Sequence, residues 1–295
     1  MNSNNKIFII GANGYLGKSI KEYFLSKAIE NKVICTSSKK NTQAIPFDLN
    51  IPNNFDYASI KRNDFIIFPA GFSSPDWIAR NPEMATKINF ESTVYFLSKA
   101  IDLGARVIFF SSDQVYGSQE DLFDERQTEN PQSLYGELKL SVENRFNKSD
   151  NFKSIRLSNV FSKHDSFTKL IREHSNSSIP LTIYAGLKRR TIFINDVIEG
   201  IASLIDNWDS FTINKVNFGG PKLYSREMIA KLFKRFIFKN LIYEINQDDK
   251  IFFNDRPKIV NMDSYFLESK IIKRNLTSIS HAILSEFQEE DFAKI

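Results

Sequence analysis

No part of the chain narrows its possible folds as sharply as the segment from Ile7 to Ala28. Four apolar residues, Ile7-Phe8-Ile9-Ile10, run straight into Gly11-Ala12-Asn13-Gly14-Tyr15-Leu16-Gly17. Apolar residues then recur at Leu16, Ile20, Tyr23, Phe24 and Ala28. A short unbroken apolar run reads as a buried strand, and the later spacing as a helix. Glycines between such a strand and helix permit a tight turn, let the backbone approach a pyrophosphate, and let the helix pack on the strand. The helix N-terminus adds free N–H groups and a partial positive charge. The spacing is GxxGxxG rather than GxGxxG, so its weight comes from its place after the first strand. A glycine-rich turn without a ligand is the alternative.

The rest of the first half repeats this strand–helix rhythm. Further strands are expected at Val33-Ile34-Cys35, Ala44 to Phe47, Asp64 to Phe68, Arg106 to Phe110 and Lys153 to Leu157. Pro82 to Leu103 reads as one long helix ended by Gly104, and Leu134, Leu138, Val142 and Phe146 mark another. The pattern predicts an α/β protein: a Rossmann-type doubly wound parallel sheet with right-handed crossovers. Past residue 160 the rhythm weakens. A helix near 166–175, short strands over 181–193, a helix over 196–206, a strand at 216–218 and a helix after Ser225 suit a smaller C-terminal α/β substrate lobe. With 295 residues, 42% of them apolar, the chain can bury a large core. The expected division is a dinucleotide-binding domain over 1–160, with 191–219 returning to it, and an interleaved substrate lobe over 161–295. Ligands in such folds bind beyond the carboxyl ends of the strands, where strand order reverses.

Charge and composition exclude several partners. The net charge is +4, from 39 Lys and Arg against 35 Asp and Glu, mixed along the chain, so nucleic acid is not expected. A single cysteine, Cys35, excludes an internal disulfide, and His164, His174 and His281 show no metal-ligand spacing; no metal is expected. The N-terminus lacks a signal-peptide run, and no apolar stretch approaches membrane-spanning length. A cytoplasmic protein with no membrane association is expected.

The second strand is followed by Thr36-Ser37-Ser38-Lys39-Lys40, with no acid. A cofactor with a free ribose 2′-hydroxyl usually meets an Asp or Glu there. Hydroxyls and lysines suit a 2′-phosphate, so NADP(H) is favoured over NAD(H). The alternative is that Lys39 and Lys40 form a solvated loop.

Two groups carry the expected chemistry: Ser111-Ser112-Asp113-Gln114-Val115-Tyr116-Gly117 after the fifth strand, and Tyr135-Gly136-Glu137-Leu138-Lys139 on the next helix. Tyr135 and Lys139, four apart, share a helix face. An ammonium beside a phenol favours the phenolate, so the pKa of Tyr135 is expected to be lowered. Such a tyrosine exchanges a proton with a carbonyl or an alcohol, with Ser112 hydrogen-bonding the same oxygen.

Taken in order, these motifs resemble an extended short-chain dehydrogenase/reductase of the NAD-dependent epimerase/dehydratase family. Within it they resemble the dTDP-4-dehydrorhamnose reductase-like branch. The resemblance runs from Ile7 to about Lys270. It includes Asp48-Leu49, Asn89, Glu143 behind the Tyr-Lys pair, Arg156-Leu157-Ser158-Asn159-Val160-Phe161, Arg189 to Val197, Asn217-Phe218-Gly219-Gly220 and Asp255-Arg256-Pro257. It implies a catalytic set of Ser112, Tyr135 and Lys139. Cofactor contacts would come from Gly11, Asn13, Gly14, Tyr15, Leu16, Gly17, Ser37, Ser38, Lys39, Asp48, Leu49, Ala70, Gly71 and Asn89, and from Tyr135 and Lys139 again. Substrate contacts would come from Ser73, Asp113, Gln114, Asn159, Arg189 and Arg256, the arginines facing a diphosphate. Asn89 has an alternative role bracing its helix.

Sugar-nucleotide dehydratases of the family carry an Asp-Glu pair where this chain has Asp113-Gln114. An amide cannot replace the carboxylate base, which disfavours dehydration. The resemblance therefore implies an NAD(P)H-dependent reductase of a keto nucleoside-diphosphate sugar, most often 4-keto-6-deoxy, serving surface polysaccharide or deoxysugar biosynthesis. Two alternatives stand beside it: a nucleotide-sugar 4-epimerase with retained NAD, and a non-catalytic nicotinamide-binding regulatory protein. A homodimer is expected because relatives commonly form one.

Overall fold

Strand β1 (Ile7–Ile10) is buried along its whole length. Ile7 and Ile9 enter one apolar cluster, Phe8 and Ile10 another, so both faces of the sheet are covered here. The computed structural model describes residues 5–27, 32–38, 44–246 and 250–287. The glycine turn leads into α1 (Tyr15–Ser26), followed by β2 (Val33–Ser37), β3 (Ile45–Pro46) and β4 (Phe65–Phe68). Helix α2 (Pro75–Arg80) precedes α3 (Pro82–Thr86), which runs through a π-helical stretch, Lys87–Ser92, into α4 (Thr93–Asp102). Then come β5 (Arg106–Ser112), β6 (Gln119–Phe123), α5 (Leu134–Phe146) and β7 (Phe152–Leu157). Past them lie β8 (Val160–Phe161), α6 (Ser166–Ser175), β9 (Leu181–Tyr184), β10 (Lys188–Arg189), β11 (Ile192–Phe193) and α7 (Ile194–Asp206). The final elements are β12 (Lys215–Phe218), β13 (Tyr224–Ser225), α8 (Arg226–Phe236), β14 (Tyr243–Asn246), α9 (Lys250–Phe253), β15 (Ile259–Met262) and α10 (Ile279–Glu286).

The central sheet has seven strands in the order β12-β7-β5-β4-β1-β2-β3, every neighbouring pair parallel. This is the doubly wound α/β architecture that the rhythm predicts. The chain moves outward from β1 to β2 and β3, then lays β4 on the other side of β1. The reversal of strand order therefore lies between β1 and β4, and the loops leaving them open a crevice. A four-stranded sheet, β13-β10-β15-β6, stands apart from the central one and takes β6 from the first half of the chain. Among the described residues, no helix is long and apolar enough to cross a membrane.

Two local features differ from the expected elements. The helix expected over Pro82–Leu103 contains the π-helical stretch, which adds a residue to the turn that carries Asn89. Helix α2 and strands β6, β14 and β15 are additional. Gln119–Phe123 is largely polar, so no apolar alternation marks it as a strand.

Candidate active site

The cofactor side of the crevice is built by the glycine turn. Gly11 has φ +89°, and a Cβ on Gly17 would lie 2.2 Å from the Gly11 carbonyl oxygen. Helix α1 can meet β1 this closely only because position 17 has no side chain. Gly14 is the N-cap of α1 and brings no side-chain hydrogen bond, and the first turn holds no acid. The uncapped N–H groups suit a pyrophosphate, so the cradle fits a dinucleotide. A cavity of about 550 Å³ is lined here by Gly11, Asn13, Gly14, Ser37, Ser38, Asp48 and Leu49. Ala70 and Gly71, after β4, border it and also the next cavity.

That second cavity, of about 410 Å³, holds the expected reaction centre. Ser112, Tyr135 and Lys139 all line it, together with Tyr15, Leu16, Ser73, Asp113, Gln114, Asn159, Arg189 and Arg256. Ser112 ends β5, where the parallel strands open into the crevice. Tyr135 and Lys139 reach it from α5, whose N-cap Ser133 accepts from Gly136 N at 3.2 Å and donates to the Gln114 side-chain oxygen at 2.9 Å. A Cβ at position 136 would come within 2.5 Å of the Gln114 carbonyl oxygen, so this glycine lets the helix press against the segment after β5.

Behind the site, the fully buried Arg156 of β7 clamps α5. Its guanidinium donates to both carboxylate oxygens of Glu143, one helical turn beyond Lys139, at 2.6–3.2 Å. It also donates to the Tyr116 hydroxyl at 2.6 Å and to the Glu129 carboxylate. A buried arginine so satisfied fixes the helix on the strand that neighbours β5.

Electrostatics at the centre are governed by burial. Lys139 is 5% exposed, donates to the Phe110 carbonyl at 2.7 Å, and lies 5.7 Å from the centre of the Tyr135 ring. Burial lowers its pKa to about 8, against the pull of Glu143. The expectation of a lowered Tyr135 pKa is not met. Burial first, and the Asp113 carboxylate second, push the phenol well above its usual range. Desolvation disfavours the phenolate. Tyr135 is therefore a neutral acid at physiological pH.

The Asp113 carboxylate is enclosed by partners. It accepts from the hydroxyls of Ser112 at 3.2 Å and Ser158 at 3.1 Å, and pairs with Arg189 Nε at 3.2 Å. Burial raises its pKa, and Arg189 opposes that rise.

Several residues expected to contact ligands already have partners within the protein or stand back from the cavities. Arg189, expected to face a diphosphate, already donates to the carbonyls of Lys188, Pro257 and Lys258 at 2.7–3.0 Å. Arg256 pairs with Asp76 at 2.7 Å and donates to the Phe252 carbonyl. Asn89, expected at the cofactor, borders neither cavity. Its amide accepts from Phe72 N and donates to Phe72 O, both at 2.8 Å, which braces the loop after Gly71. Gly17 likewise serves packing rather than lining. Lys39 lies outside the described residues. A residue not singled out in the sequence, Arg226, does enter the cavity. Its one available signal is a cation directly after the N-cap Ser225, at the end of a helix that favours anions.

The profile described as NAD dependent epimerase/dehydratase family matches residues 7–219. The bifunctional polymyxin resistance protein ArnA of Wigglesworthia glossinidia brevipalpis is 25% identical over 285 residues, covering 82% of this chain and 42% of that protein. The chain spans 42% of the length of the curated relatives it matches. A dTDP-4-dehydrorhamnose reductase from Clostridium acetobutylicum superposes with a TM-score of 0.79 at 20% identity, covering 98% of this chain and 100% of that one. A UDP-glucuronic acid 4-epimerase variant from Bacillus cereus, in complex with UDP-4-deoxy-4-fluoro-glucuronic acid and NAD, gives 0.81 at 18%, covering 98% and 99%. At these identities the structural likeness is one of fold.

Proposed function

The chain belongs to the NAD-dependent epimerase/dehydratase family, and on that premise we propose that it reduces the keto group of a nucleoside-diphosphate sugar, a 4-keto-6-deoxy sugar in the favoured form. The product would supply deoxysugars to surface polysaccharides or related glycosides. The observation that carries this reading is the neutral phenol of Tyr135 in one cavity with Ser112 and Lys139. A reductase needs a proton donor at the oxygen that gains charge, and a phenol held above its usual pKa keeps that proton until the substrate takes it. Gln114 stands where a second carboxylate would serve dehydration, and its side-chain oxygen is held by Ser133.

A bound nicotinamide cofactor would supply the hydride. Gly11, Gly14 and the first turn of α1 would hold its pyrophosphate, Asp48 and Leu49 would border its adenine, and Ala70 and Gly71 would pass beneath it. Tyr135 gives its proton to the carbonyl oxygen, and Ser112 turns its hydroxyl from Asp113 to the same oxygen. Lys139, charged below about pH 8, stabilises the phenolate left behind. NADPH is the proposed cofactor form, supported by Ser37 and Ser38 at the cavity wall and the lack of an acid after β2. Residues 1–160 with 191–219 are proposed to hold the cofactor, the remainder of 161–295 to hold the sugar nucleotide, and two chains to form a cytoplasmic homodimer.

The test follows NADPH oxidation with a panel of 4-keto-6-deoxy nucleotide sugars. Turnover with at least one, faster with NADPH than with NADH, is the expected result. Folded protein that binds NADPH and turns over none of them overturns the reading. Copurified NAD, with turnover in the absence of added nicotinamide, would mark an epimerase instead.

A further inference from the structure

Three arginines converge on the reaction cavity, and they differ in what they already bind. Arg189 is 3% exposed, with its donors directed at three backbone carbonyls and Asp113. Arg256 is paired with Asp76. Arg226 has no hydrogen bond and no ion pair among the described residues; it lies 5.0 Å from the Phe167 ring centre and 5.7 Å from that of Phe252. It borders both the reaction cavity and an adjoining one of about 450 Å³ that Asn159 and Ser166 also line.

Such a cation is unstable where it stands. Burial first, then Arg256 and Arg189, lower its pKa to about 10. As the first residue of α8 it also faces the positive end of the helix dipole. The Phe167 and Phe252 rings take the place of part of its water shell, which strengthens its attraction to any anion admitted. Among the described residues lining the reaction cavity, Lys139, Arg189, Arg226 and Arg256 meet one carboxylate, Asp113. Arg189 pairs with Asp113 and Arg256 with Asp76, whereas Arg226 and Lys139 make no ion pair among the described residues. The carboxylate that acts on Arg226 at longer range is Asp165 in the adjoining cavity, which already accepts from Ser162 N, Phe167 N and Thr168. Lys139 is committed to the reaction centre, which leaves Arg226 for the ligand's own charge.

We propose that Arg226 is the cation that binds the diphosphate of the substrate, and that Arg189 acts as a positioning residue holding Asp113 and the Pro257–Lys258 segment. This rests on the nucleoside-diphosphate-sugar reading above.

The test titrates the full chain with UDP, dTDP and inorganic pyrophosphate by calorimetry, with NADPH binding followed separately by fluorescence. Arg226→Gln should weaken pyrophosphate and the bound nucleotide about 10- to 100-fold, the range for losing a charge-assisted contact. Arg226→Lys should lose much less, and NADPH affinity should not change in either. In turnover, Arg226→Gln should raise KM with kcat retained. Arg189→Gln should keep pyrophosphate affinity within about threefold, since ligand charge is met elsewhere. Unchanged pyrophosphate affinity in Arg226→Gln, with nucleotide binding intact in the wild type, overturns the role of Arg226 alone. Wild-type protein that binds NADPH but none of the three probes overturns the nucleotide-sugar reading with it.

Discussion

Replacing Lys139 by methionine should make the protein more stable near neutral pH while removing its activity. The ammonium is buried and its pKa falls from 10.5 to about 8. At 1.36 kcal/mol per unit, keeping the charge inside costs about 3 kcal/mol at pH 7. Methionine escapes that cost but leaves the Phe110 carbonyl without its donor, a loss of about 1–2 kcal/mol. The net expected gain is about 1–2 kcal/mol. Between the folded value near 8 and the unfolded value near 10.5, the unfolded chain holds a proton that the folded chain has released. Wild-type stability therefore rises with pH in that window, by about 2 kcal/mol from pH 7 to pH 9.5 for this group alone. The variant lacks this term. Urea unfolding of both proteins at the two pH values, without cofactor, isolates it as a double difference in which other titrating groups cancel. Equal slopes in the two proteins would mean that Lys139 is not buried as a charge, and the account of the site's electrostatics would fall.

Three further outcomes follow from the same geometry. Tyr135→Phe should lower kcat roughly 100- to 10,000-fold while NADPH binding stays within error, checked by turnover and fluorescence titration; retained turnover would remove the phenol from the mechanism. Gly17→Ala would place a Cβ 2.2 Å from the Gly11 carbonyl oxygen and 2.9 Å from Ala12 Cα, so the turn must open. NADPH affinity should drop about tenfold or more, at the cost of a contact worth at least 1.4 kcal/mol. Glu143→Leu would leave the Arg156 guanidinium buried with less of its countercharge. A loss of about 3–5 kcal/mol in urea unfolding is expected, and a loss below 1 kcal/mol would show that α5 is not clamped by this pair.

Local signals carried most of the first half of the chain. Strands β1 and β4 are unbroken apolar runs, β5 holds one from Val107 to Phe110, α5 shows an apolar stripe, and Ser225 and Gly104 act at helix ends as their types suggest. Short or polar strands were not readable, because β6 and β15 exist only through pairing 141 residues apart, as at Val260 with Gln119. The residues of the reaction centre were readable, but their charge states were not. A Tyr-x-x-x-Lys pair does not reveal that both groups are desolvated, or that the amine bonds the Phe110 carbonyl. The arginines make the same point. Arg189 and Arg256 stand in motifs, yet which cation is free depends on Asp113, Asp76 and the carbonyls of a distant loop.

The Asp113–Arg189 pair sets how many proton carriers the cavity offers. Loss of water from a sugar breaks a C–O bond and removes a C–H proton, so it needs an acid and a base besides the hydride steps. With Asp113 enclosed by Arg189, Ser112 and Ser158, and with Gln114 an amide, Tyr135 is the free proton carrier among these groups. That arrangement suits a reaction in which one proton accompanies one hydride. Arg189→Met should disturb it in a defined direction. Burial already raises the Asp113 pKa, and Arg189 is the largest influence opposing that rise. Without the guanidinium the carboxyl should keep its proton to higher pH and stand beside Ser112 as a second acid. The Asp113 ionisation on the acid side of the proposed reduction's pH profile should then move to higher pH. A profile that coincides with the wild type, from variant protein with an unaltered melting temperature, would mean that Arg189 does not set the ionisation of Asp113.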